Sequence, residues 1–263
     1  MLGYLIMTRK NWSSDELIVA FNLYCKIPFG KIHIRNPDIK SLAKILGRTP
    51  SAVSWKLANF ARLDPALQKR SISGASHGGK GEIEVWEEFN SDWERLSFES
   101  EKLLAKITGK KIENAAGINK DELPKQGKER EAIVRVRINQ NFFRTAVLAA
   151  YDSKCCITDL AIPELLNASH IKPWAKDTLN RVNPRNGLCL NVLHDRAFDR
   201  GFITVTPEYN IKTSRLLDKF KLDKPVKDFL LRYNGKPIKL PDRFLPDSSF
   251  LKYHNKHIFE KQS

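Results

Sequence analysis

Several features are missing from this sequence of 263 residues. No apolar run approaches the ~20 residues of a membrane span, so no membrane partner is expected. The opening "MLGYLIM" is too short for a signal peptide and lacks its basic n-region. Met7 is itself a candidate start, since the amphipathic pattern begins after it. The four cysteines, Cys25, Cys155, Cys156 and Cys189, show no disulfide-type spacing, which points to a reducing, cytoplasmic setting. There is no CxxC pair, so a four-thiolate zinc clamp is excluded and no structural zinc is expected. Adjacent Cys155 and Cys156 read as buried structural thiols. No internal repeat and no low-complexity tract is found. Acid is in short supply: Lys and Arg total 45 against 30 Asp and Glu, a formal charge of +15. The basic excess is spread along the chain, as expected of a polyanion binder that releases counterions from phosphates.

The length accommodates two cores, one of ~100 and one of ~130 residues. "SSDELIVAFNLYCKI" offers Ser13 or Ser14 as N-cap, with Leu17, Phe21 and Tyr24 at helical spacing. In "PDIKSLAKILGRTPSAVSWKLANF", Ile39, Leu42, Ala43 and Leu46 form one stripe, Gly47 ends that helix, and Ser51 opens another carrying Val53, Leu57 and Phe60. Two short helices about a tight Gly turn resemble a helix-turn-helix, whose second helix enters the major groove. That places Arg48, Thr49, Ser51, Ser54, Trp55 and Lys56 towards DNA, with an ordinary helical hairpin as the alternative. "SGASHGGKG" at 73–81 reads as a wing-like loop with a solvated His77. Residues 82–107 read as one long amphipathic helix with Val85, Phe89, Trp93 and Leu96 on one side, suited to a core or to a homodimer seam. The polar, Gly- and Pro-interrupted stretch 108–130 is the best linker, separating a helical reading domain at 1–107 from a second domain at 131–263.

The second segment predicts a helix over about 139–152, a hairpin in "FITVTPEYNIKT", and α+β class overall. Between them lies "NASHIKPWAKDTLNRVNPRNGLCLNVLHDRAFDRGF", residues 167–202. A strand over Leu165–Ile171 stops at Pro173. A turn-rich loop follows, then a strand in "NGLCLN" and a helix from Val192 to Arg200, with Asn191 as N-cap and Gly201 as the stop. Strand, loop, strand and helix folded back on themselves bring His170, Asn186 and His194 within reach of one point.

"SHIKPW", "NGLCL" and "LHDRAFDRG", with the upstream "VRINQNFFRTAVLAAYDSKCCITD", resemble in order and spacing the restriction-type branch of the HNH endonuclease family and its ββα-metal fold, over about residues 131–205. The resemblance implies a nuclease acting on double-stranded DNA, with His170 as general base, Asn186 holding the loop and orienting the His170 ring, and His194 binding one divalent metal ion per site. Two departures stand out. Ser169 occupies the position before the base where many relatives carry an acid or histidine, and Phe198 lies four residues after His194 where many carry a further ligand. Asp199, about 140° round the helix from His194, reads as a helix-end carboxylate or a ligand; Asp195 and Asp177 are weaker candidates. An ion held by so few side chains keeps its waters, which suits Mg²⁺ or Mn²⁺. Arg181, Arg185, Arg196 and Arg200 are expected on the DNA backbone. Trp55 and Trp174 suit either base stacking or core packing, and His254 and His257 read as structural. One such site cuts one strand, so a double-strand break implies a homodimer or two nicks. A helix-turn-helix regulator with a lapsed nuclease core, an RNA-cleaving enzyme and a mobile-element nuclease remain as alternatives.

Overall fold

A computed structural model describes residues 11–70, 78–119, 121 and 123–259. His77, expected in a wing-like loop, lies outside them. Helix α1, Ser14–Lys26, starts at Ser13, whose hydroxyl accepts from the Glu16 amide while the Glu16 carboxylate accepts from the Ser13 amide. This is a reciprocal capping box. Helix α2, Pro37–Leu46, ends at Gly47 with φ 61°, the left-handed conformation glycine tolerates. Helix α3, Pro50–Ala61, is capped by the Thr49 hydroxyl and begins one residue before Ser51, because Pro50 takes its first position. The short α4 covers Pro65–Lys69.

The long helix expected over 82–107 is two helices, α5 (Lys80–Phe89) and α6 (Trp93–Thr108). The Asp92 carboxylate accepts from the Arg95 amide and starts a new helix, which a through-running periodicity conceals. The stripe read as a dimer seam is already covered within the chain. Val85, Phe89, Trp93 and Leu96 are buried, and Phe21 of α1 packs on Trp86 and Trp93. After α7 (Ile112–Ala115) comes α8, Lys128–Ala150, which takes the Arg-rich stretch before 139 into one helix of 23 residues.

The second half holds β1 (Leu166–His170) paired antiparallel with β2 (Gly187–Asn191), His170 facing Gly187 in register. Helix α9 (Val192–Asp199) follows, capped by Asn191. A second antiparallel pair, β3 (Ile203–Val205) and β4 (Ile211–Thr213), forms the expected hairpin, and α10 (Lys224–Phe229) and α11 (Ser248–His254) complete the α+β chain. Buried apolar side chains from Leu17 to Leu251 form one continuous cluster.

Arg243 crosses between the two halves. It is fully buried, donates to the carbonyls of Tyr24 and Ile27 at the end of α1, and lies over the Tyr24 ring. His254 is also buried, with ring nitrogens against Thr204 Oγ1 at 2.8 Å and Phe198 O at 3.1 Å. Burial lowers its pKa from 6.5 to about 4. The unfolded chain therefore binds a proton that the folded chain refuses, and stability is lost as pH falls from about 6.5 towards 4. This group alone removes about 3 kcal/mol. Thermal melts of wild type and His254→Gln between pH 7 and pH 4 check this: the variant should show the shallower decline, and parallel curves would assign acid sensitivity elsewhere.

Candidate active site

Strand β1 and helix α9 wall a cleft of about 790 Å³ together with α8. His170 stands at the end of β1 with its imidazole stacked on Phe143 of α8, centroids 3.8 Å apart and planes within 10°. Trp174 meets it edge-on at 5.6 Å. Its Nε2 lies 2.8 Å from the Arg181 carbonyl oxygen. A carbonyl only accepts, so Nε2 carries the proton and the lone pair belongs to Nδ1. Burial lowers the His170 pKa, opposed by the Arg181 hydrogen bond and by the charge of Asp195. The result is a neutral ring of fixed tautomer.

Asn186 is buried at the turn into β2. Its Oδ1 accepts from the Lys172 amide at 2.8 Å, and its Nδ2 donates to the carbonyls of Lys172 at 3.0 Å and Asn180 at 3.2 Å. These bonds tie the loop between the strands. The Arg181 carbonyl holds the His170 ring, a task the sequence reading gave to the Asn186 amide.

His194 does not join them. It is buried, its Nε2–H donates to Phe229 O at 2.8 Å, and Asn191 Oδ1 lies 3.0 Å from Nδ1. Both ring nitrogens face oxygen atoms away from the cleft lining, and His194 does not line the cleft. The helix itself explains this. His194, Ala197 and Phe198 are the buried side of α9, whereas Asp195 and Asp199, four residues apart and about 40° round the axis, both line the cleft. That apolar spacing was readable in the sequence and would have ranked Asp195 above His194. Asn167 donates to Asp195 Oδ2 at 2.7 Å. Burial, then the neighbouring charge of Asp195, raise the Asp199 pKa. Two carboxylates lining one cleft could hold a hard divalent cation. Among the described residues no group of three or more His, Cys, Asp or Glu converges, so protein donors alone do not close a shell. Asp177 is held by Lys172 and Asn180. The four cysteines are buried and free.

Arg196 and Arg200 line the cleft. Arg181 instead donates to Trp174 O and lies over its ring, and Arg185 donates to Asn90. In the N-terminal helices, Arg48 is paired with Glu16 at 2.8 Å, its side chain 9% exposed, and Lys56 is paired with Glu82. Burial pushes the Glu82 carboxyl up, yet the hydrogen bonds from Lys56 and Asn59 prevail and its pKa falls. Both cations expected on DNA therefore serve the helical core. Thr49 is occupied as a cap, Ser54 is half-buried, and the exposed side of α3 presents Ser51 and Trp55, the latter 61% exposed.

No curated protein matches the chain. Residues 155–206 match the family model described as HNH endonuclease, a span that takes in β1, β2 and α9 and leaves out α8 and all helices before it. HNH nucleases use a divalent metal and act on DNA, in keeping with the paired carboxylates and the neutral imidazole of the cleft. The strand–loop–strand–helix unit of this chain is therefore the part that matches the HNH endonuclease family.

Proposed function

We propose that the protein is a restriction-type DNA endonuclease, with Mg²⁺ or Mn²⁺ held by Asp195 and Asp199 and with His170 as general base. The observation that carries this reading is the convergence of His170, Asp195, Asp199, Arg196 and Arg200 on one cleft. His170 Nδ1 takes a proton from the attacking water while the Arg181 carbonyl and the Phe143 ring keep the imidazole aimed. The cation, when bound, offsets charge on the phosphate and on the leaving 3′ oxygen. Arg196 and Arg200 hold the flanking backbone. Helices α2 and α3 act as a reader through the exposed Ser51 and Trp55, with no phosphate contact from Arg48 or Lys56. Incubation with methylated and unmethylated plasmid, in Mg²⁺, Mn²⁺ or EDTA, tests the reading: nicking or linearisation that EDTA stops supports it, and intact plasmid in every lane removes it.

The ligand assignment makes a separate prediction. Asp195→Asn should raise the metal concentration for half-maximal cutting about tenfold or more, and His194→Gln should titrate as wild type does. Reversed results would return the ion to His194.

A further inference from the structure

The family match ends short of α8, yet α8 builds one wall of the cleft. Gln140, Phe143 and Arg144 line it from that helix. The position of α8 is tightly fixed. A Cβ on Gly187 of β2 would lie 2.4 Å from Val147 Cγ2 and 3.1 Å from Phe143 Cζ, so only glycine lets the helix lie this close to the strand. The same closeness permits the Phe143–His170 stack.

Gln140 and Arg144 are four residues apart and both exposed at the cleft. Arg144 makes one long hydrogen bond, 3.3 Å to Pro163 O, and Gln140 makes none among the described residues. Arg135, nine residues before Arg144 and so about half a turn away round the axis, is engaged by the Phe98 ring at 3.9 Å and by Glu94 at 4.0 Å. The helix thus spends Arg135 on packing against α6 and Arg130 on Glu113, and holds Arg144 over the cleft. The same cleft is lined from α9 by Arg196 and Arg200, with Asp195 and Asp199. A phosphodiester strand entering between α8 and α9 meets carboxylates on one wall, and guanidinium charge is needed on both walls to hold it.

We propose that α8 is the second jaw of the nuclease, with Arg144 gripping a backbone phosphate beside the scissile one and Gln140 hydrogen-bonding the same strand. This rests on the endonuclease reading. A guanidinium suits the task because its planar fork meets two phosphate oxygens at once.

The full-length protein is mixed with labelled duplex DNA in EDTA, and anisotropy is followed over a salt series. Cleavage in Mg²⁺ is followed in parallel. Arg144→Ala should bind severalfold more weakly and lower the slope of log affinity against log salt by about one. Arg144→Lys should restore most of the slope. Gln140→Ala should weaken binding a few-fold with the slope unchanged, and Arg135→Ala should match wild type. If wild type cuts DNA but Arg144→Ala keeps the wild-type slope, or Arg135→Ala lowers it as much, the jaw is overturned and the endonuclease reading stands. If wild type neither binds nor cuts, both fall together.

Discussion

Replacing His170 with alanine is expected to slow DNA cleavage on the order of a thousandfold while leaving duplex affinity within a few-fold. The imidazole supplies the proton acceptor and makes no contact that a phosphate would miss, since its Nε2–H is taken by Arg181 O. The ring is half-buried in an aromatic bracket of Phe143 and Trp174, and desolvation lowers its pKa against the Arg181 hydrogen bond and the charge of Asp195. The acid limb of kcat/KM should accordingly lie below the ordinary histidine range. Cleavage and mobility-shift measurements on the same preparations decide the point: turnover retained within tenfold of wild type would place the base elsewhere in the cleft.

The second large effect is expected on stability. Arg243→Leu keeps most of the volume but removes the guanidinium that satisfies the carbonyls of Tyr24 and Ile27 and opposes the burial of Asp64. Asp64, a buried cap of α4 that also accepts from the Tyr24 hydroxyl at 3.2 Å, already has its pKa raised by desolvation. Losing the cation leaves two orphaned carbonyls and a buried carboxylate with less charge to oppose its desolvation. We expect a loss of about 3–5 kcal/mol and a fall in melting temperature on the order of 10 °C. Calorimetry of Arg243→Leu, and of Arg243→Lys as the variant that keeps charge without the fork, measures both effects. A Leu variant melting with wild type would show that the buried arginine contributes nothing net.

Much of the site was legible because its signals are local. Asn191 before an apolar turn, Gly201 after it, and the run of "NGLCL" each act within a few residues, and β1, β2 and α9 lie almost where they were expected. What escaped depends on partners distant in sequence. His194 reads as a ligand until Phe229, 35 residues on, is seen to occupy its Nε2. Arg48 and Lys56 read as DNA contacts until Glu16 and Glu82 are brought to them. Arg243 in "PDRFLPD" carries no sequence signal at all, since nothing near it announces that a charged side chain will be interior. The break between α5 and α6 was missed for the opposite reason: the local cap at Asp92 was present, but the apolar spacing runs through it and outweighs it.

The reach of Arg243 sets the order in which the molecule can be completed. Its acceptors at the end of α1 are separated from it by 219 and 216 residues. During synthesis those carbonyls form early and wait while the strands, the base and the carboxylates of the cleft are all made. Closing a loop of this length comes late and carries a large entropic cost. The helices emerging first therefore reach full stability only after β1, β2 and α9 have been translated. A chain that stops short of Arg243 lacks the donor that closes the carbonyls at the end of α1.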